Sequence, residues 1–205
     1  VVVPDPPQPF DPEPFELQAG QELFRVHNKN RGGQEFNPGA GKGTRFAFFG
    51  DPVVPVLYAA ETERAAIAES LLHDIPLTGG QLTQSAYQDR RMSQLTTNRD
   101  VRLASFMGLG LRRLGVAADQ VTTTPAAHYD RTVLWAEAAH TAGFDGLVYM
   151  SRQCNSDRAY VFFGDRTDDA FDRDPTYSWN FGDPLDGRAQ LITFCNVLGV
   201  EVLVR

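Results

Sequence analysis

The chain has 205 residues, 42% hydrophobic and 22% charged, with a formal net charge of −7. That size and balance describe one domain with a sizeable core. The acidic charge excludes an extended nucleic-acid-binding surface, which needs clustered Lys and Arg, but leaves room for a local basic pocket. No apolar run approaches the roughly 20 residues of a membrane helix. The chain opens at Val1 with no charged-then-apolar leader, from which a cytoplasmic location is expected.

Six of the first fourteen residues are proline, interleaved with Asp5, Asp11 and Glu13. Such a segment resists helices and ladders, so residues 1–21 read as an extended arm ahead of a domain spanning 22–205. Glu22 to Val26 reads as the first strand. Gly32-Gly33 and the run from Asn37 to Gly43 form a long connection whose glycines allow a ligand close to the backbone. It lacks the P-loop spacing, because Lys42 is followed by Gly43 rather than Ser or Thr.

Val53 to Ala60 reads as a buried strand with Pro55 near its start. A helix is expected from Thr62, a suitable N-cap, to about Asp74, with Pro76 stopping it. The polar stretch 78–89 reads as a loop or lid. Strands are expected near Arg91–Thr96 and Asp100–Ser105, then a short helix from Phe106 to Leu114. Asp130 to Ala142 has helical spacing with Gly143 as the cap, and Leu147 to Met150 is a buried strand ending at Ser151. Ala159 to Phe163 and two runs between Gln190 and Arg205 read as further strands. Strands and helices do not alternate regularly, so the fold class is α+β rather than a doubly wound sheet.

Glu69 is the sharpest single residue. Its helical neighbours are Ala65, Ala66, Leu72 and His73, and Arg64 points roughly 140° away. A carboxylate on such a stripe either pairs with an arginine elsewhere in the core or faces a ligand cavity, and the sequence leaves both open. Arg25 and Arg45 have the chemistry to grip phosphate bidentately, although isolated arginines are more often solvated. Tyr58, inside an apolar strand, reads first as a core tyrosine. The four histidines form no HxxxH or HExxH pattern and the Asp-rich run 165–174 lacks EF-hand spacing, so no metal is expected. Cys154 and Cys195 read as buried thiols, and no Gly-x-Ser-x-Gly elbow occurs.

Taken in order, Phe24-Arg25-Val26, Phe36-Asn37-Pro38, Gly43-Thr44-Arg45-Phe46, Leu57-Tyr58-Ala59, the helix bearing Glu69, and Asp145 through Ser151-Arg152 resemble the RES domain. The likeness covers most of residues 22–165 and leaves 166–205 as an extension. It implies an ADP-ribosyltransferase-like single domain of mixed sheets with flanking helices. It also implies a toxin that consumes NAD by hydrolysis or phosphorolysis, neutralised by an Xre-type helix-turn-helix antitoxin. NAD is then substrate rather than cofactor, inorganic phosphate is a candidate co-substrate, and no nucleic acid or membrane is contacted directly.

Carried over by position, Arg25, Arg45, Tyr58 and Glu69 match the NAD-site residues. The family's serine falls either on Ser151 or at the start of the preceding helix, where Asp130 or Thr132 stands instead. In this reading the arginines hold the diphosphate, Tyr58 stacks on nicotinamide or ribose, Ser151 bonds the amide or ribose, and Glu69 stabilises an oxocarbenium-like ribose. The alternative acceptor is a protein, making a mono-ADP-ribosyltransferase, but Glu61 and Glu63 do not form the paired acidic motif with Glu69. A third possibility is a binding module without catalysis.

Overall fold

The computed structural model describes residues 2–204. In chain order the strands are β1 (Pro14–Leu17), β2 (Glu22–Asn28), β3 (Val56–Ala60), β4 (Gly80–Leu82), β5 (Arg90–Thr97), β6 (Val101–Phe106), β7 (Gly146–Met150), β8 (Arg158–Phe163), β9 (Phe171–Asn180) and β10 (Val200–Val202). The α-helices are α1 (Glu63–Leu71), α2 (Gln84–Tyr87), α3 (Gly108–Arg113), α4 (Ala118–Val121), α5 (Tyr129–Thr141), α6 (Gly164–Thr167) and α7 (Gly187–Asn196). Eight strands form one sheet in the order β1-β6-β7-β8-β3-β2-β5-β9, antiparallel except for β6 and β7. β10 and β4 form a separate parallel pair. The result is an α+β single domain consistent with an ADP-ribosyltransferase-like architecture.

Two-residue alternation along the strands divides the core between the faces of the sheet. On one face α5 lays Trp135, Ala136 and Ala139 against Phe106, Tyr149 and Val161, and farther along α1 lays Ala65, Ala66 and Ile67 near Ala60 and Met92. The opposite face carries Phe15, Leu23, Leu57, Val148 and Phe162, with Phe36 and Met107 packed against it. Gly146 is fixed by close packing: a β-carbon there would lie 2.1 Å from the carbonyl oxygen of Val161 on β8.

Several expectations shift in register or type. The strand expected from Val53 starts at Val56, after a turn around Pro52, and α1 ends at Leu71 rather than Asp74. The proline-rich segment is extended, but it is bound to the domain: β1 pairs with β6, Val3 is buried, and Trp135 Nε1 donates to Pro4 O at 2.9 Å. The stretch 78–89 is no free lid, since it contains β4 and α2, and the buried Tyr87 donates its hydroxyl to Leu203 O at 2.7 Å. The first of the two strands expected after Gln190 is helical. Its β-branched and aromatic residues read as strand, but Gly187, Leu191 and Cys195 recur every four positions and all three are buried.

Candidate active site

Glu69 stands on α1, a helix whose start the sequence specifies: Thr62 Oγ1 accepts from Ala65 N at 3.2 Å and Glu63 occupies the first turn. Because α1 packs Ala65, Ala66, Ile67 and Ala68 inward, its position against the sheet is set by small side chains that permit close approach. Glu69 then meets the end of β7. One oxygen, Oε1, accepts from Ser151 Oγ at 2.7 Å and from Arg152 N at 2.9 Å. The other, Oε2, has the Tyr149 hydroxyl at 3.5 Å. Among the described residues Glu69 forms no ion pair. Of the two readings left open by the sequence, pairing with a core arginine is therefore not what the structure contains.

Ser151 is buried, and its hydroxyl donates to Glu69 and accepts from Cys154 N at 3.2 Å. The hydroxyl expected to meet amide or ribose is thus directed at Glu69. The loop from Ser151 to Asp157 clips α1 at three points. Gln153 Nε2 donates to Leu72 O at the helix end, Ser151 and Arg152 hold Glu69, and Asp157 accepts from Thr62 Oγ1 at 2.5 Å and Arg64 Nε at 2.7 Å. The Arg64 guanidinium, with the hydroxyls of Thr62 and Ser156, holds the Asp157 carboxyl well below the usual carboxylate range, against the opposing effect of burial.

Tyr58 and Arg45 join the same face. The Tyr58 hydroxyl is 2.8 Å from Thr44 Oγ1 and accepts from Phe46 N at 3.1 Å, so it fixes the turn that carries Arg45. Burial pushes its pKa up to about 12, with Thr44, Phe46 N and the Arg45 charge opposing the rise. Burial, then the Glu69 charge, raises Tyr149 well above its ordinary value, so both phenols stay protonated donors. Arg45 is buried, donates Nη2 to Thr124 O at 3.2 Å, and lies 5.4 Å from the Tyr129 ring centroid. Its Nε has no partner among the described residues. A buried guanidinium with a donor to spare is suited to an anionic ligand.

Of the alternatives at the start of α5, Asp130 is exposed and Thr132 is buried beneath the site. Thr132 Oγ1 donates to Arg45 O at 2.5 Å, so it holds the arginine's backbone.

Arg25 is not brought to this cluster. Phe24 is directly opposite Ala60, on the face of Tyr58 and Tyr149, so alternation sends Arg25 to the other face. There it is buried and donates Nη1 to Gly33 O at 2.7 Å and Glu35 O at 2.8 Å. Burial lowers its pKa to about 10, with Glu35 opposing.

Tyr149, Tyr129 and the backbone N–H of Arg152 also belong to the cluster, beyond the residues expected from the sequence. Tyr149 had a signal, since it precedes Ser151 by two positions at the strand end. The other two are long-range contacts with no local signature.

Fold and site together define an α+β protein that presents a carboxylate, two phenols and a buried arginine beside one helix. The chain belongs to the RES domain family, which matches residues 22–182 and so takes in β9 as well. No curated protein matches the sequence. Among solved structures, a chain of the M. tuberculosis MbcT–MbcA toxin–antitoxin complex is similar in fold. It has a TM-score of 0.57 and 13% identity, over 80% of this chain and 85% of that one.

Proposed function

We propose that this protein is the toxin of a toxin–antitoxin pair and cleaves the nicotinamide–ribose bond of NAD. The observation that carries the reading is Glu69: a carboxylate without a cation, oriented by neutral donors, beside an arginine with an unused donor. Arg45 binds the diphosphate and Tyr58 stacks against nicotinamide or the ribose. As the C–N bond breaks, its electron pair leaves with nicotinamide, which departs neutral and needs no general acid. Glu69 stabilises the oxocarbenium-like ribose that remains, as carboxylates do in glycoside cleavage. Water then adds and releases a proton, giving ADP-ribose, or phosphate adds and gives ADP-ribose-1″-phosphate.

Ser151 and Arg152 N set the carboxylate's angle, and Arg25 contributes by anchoring the 31–36 loop. Glu61 pairs with Arg158 at 2.8 Å and Glu63 accepts from the Tyr177 hydroxyl at 2.5 Å, so neither supplies the second carboxylate that protein modification on arginine calls for. An Xre-type antitoxin is the partner this reading expects, in line with the likeness to a chain of a toxin–antitoxin complex. The test is incubation with NAD, with and without inorganic phosphate, resolving products by mass. ADP-ribose or its 1″-phosphate supports the reading, and label retained on a protein band points to transfer instead.

A further inference from the structure

The face of the sheet opposite Glu69 changes character toward its β9 edge. Alternation places Leu23, Arg25 and His27 of β2, Arg91, Ser93 and Leu95 of β5, and Arg173 and Ser178 of β9 on that one face. The register puts Ser93 at the centre, with Arg25 on one side and Ser178 on the other. Arg173 folds back toward this centre, since a β-carbon on Gly33 would lie 2.7 Å from Ser93 Cβ and 3.2 Å from Arg173 Cδ.

Three guanidiniums therefore gather on one small patch of an acidic protein. Among the described residues none of the three forms an ion pair, and Nε of both Arg91 and Arg173 is buried without a partner. Two acids act on the cluster by charge without pairing directly, Glu35 on Arg25 and Asp174 on Arg173. Asp172 and Asp174 alternate to the other side of β9, Asp174 Oδ1 accepts from Thr176, and Glu35 Oε2 accepts from Gly32 N. His27 beside Ser93 adds no charge at neutral pH. Burial pushes it down to about 4, assisted by the charges of Arg25, Arg91 and Arg173 and opposed by the Asn28 carbonyl.

Gathering three like charges with no direct ion pair among them is unfavourable, and a bound anion would complete the cluster. We propose that this patch is a binding site for a small phosphate-bearing molecule, with Arg91 and Arg173 as the recognising pair and Arg25 behind them. Gly33 packs over the buried Ser93, so the groups within reach of a ligand are Arg91 and Arg173, both half-buried at the rim. An extended nucleic acid is disfavoured by the net charge of −7. The sheet separates this patch from Glu69, so the inference is independent of the proposed catalysis.

The test is calorimetric titration with inorganic pyrophosphate, inorganic phosphate and citrate at constant ionic strength. The proteins compared are wild type, Arg91→Gln, Arg173→Gln, Ser178→Asp and Glu69→Ala. Saturable pyrophosphate binding is expected in wild type and Glu69→Ala, weakened about tenfold or more in the other three. Ser178→Asp adds charge without removing an arginine, so it stays informative if an arginine variant unfolds. Equal binding across all variants, citrate binding as tight as pyrophosphate, or no binding by wild type would overturn the proposal.

Discussion

The Ser151 hydroxyl and the Glu69 carboxylate meet at 2.7 Å, and the serine is buried under the loop that follows it. This contact joins the end of β7 to the middle of α1 and fixes one carboxylate oxygen. Ser151→Ala leaves Arg152 N on the same oxygen, so the carboxylate stays near its place with its angle loosened. The expected result is a fall in kcat for NAD of about tenfold with little change in KM, the signature of a positioning defect. Steady-state kinetics checks this, and an unchanged kcat contradicts the role.

Asp157 ties the loop that carries Ser151 to the first turn of α1. Asp157→Ala leaves Thr62 and Arg64 without their shared acceptor and is expected to cost on the order of 2–3 kcal/mol at pH 7. Its folded-state pKa is depressed, so the stabilisation is present above the ordinary carboxylate pKa and fades as pH falls below it. Urea denaturation of both proteins from pH 7 to pH 3 should show the gap narrowing. A gap below about 0.5 kcal/mol at pH 7 counts against the clip.

Tyr58 has two separable parts. Its hydroxyl holds the Thr44–Phe46 turn and its ring is the proposed stacking surface. Tyr58→Phe is expected to lose about 1 kcal/mol of stability and keep NAD turnover within a few-fold, whereas Tyr58→Ala raises KM about tenfold or more. If both variants turn over NAD alike, the ring does not stack.

His27 titrates far below its ordinary value because it is buried neutral against Ser93. The unfolded chain therefore binds a proton that the folded one refuses between pH 6.5 and about 4. Stability should fall as pH drops through that window, by on the order of 1–3 kcal/mol. His27→Gln should flatten the slope, as measured by chemical denaturation across pH 4–7. A slope unchanged by the substitution removes His27 as its cause.

Much of the site was readable because local chemistry announced it. Thr62 before an alanine-rich run marked the start of α1, and a lone carboxylate among alanines marked Glu69. The face on which a strand residue lands was not readable in the same way. Alternation says that Arg25 and Phe24 point oppositely, but which of them faces α1 follows from the Phe24–Ala60 pairing across the chain. Ser151 shows the same limit, since its position at a strand end was visible while its burial depends on Asp157 and Cys154 folding over it. The helix α7 was hidden because Ile192, Thr193 and Phe194 favour strands in isolation, and burial of Leu191 and Cys195 decided otherwise.

The central claim rests on Glu69, and its most direct measurement is the NAD turnover of Glu69→Gln beside wild type, both confirmed folded. Glutamine keeps the size and can still accept from Ser151, but it carries no negative charge for a cationic ribose. The account predicts NAD cleavage by wild type and a loss of at least about a thousandfold in kcat for the variant. Cleavage by the variant at a comparable rate would contradict it.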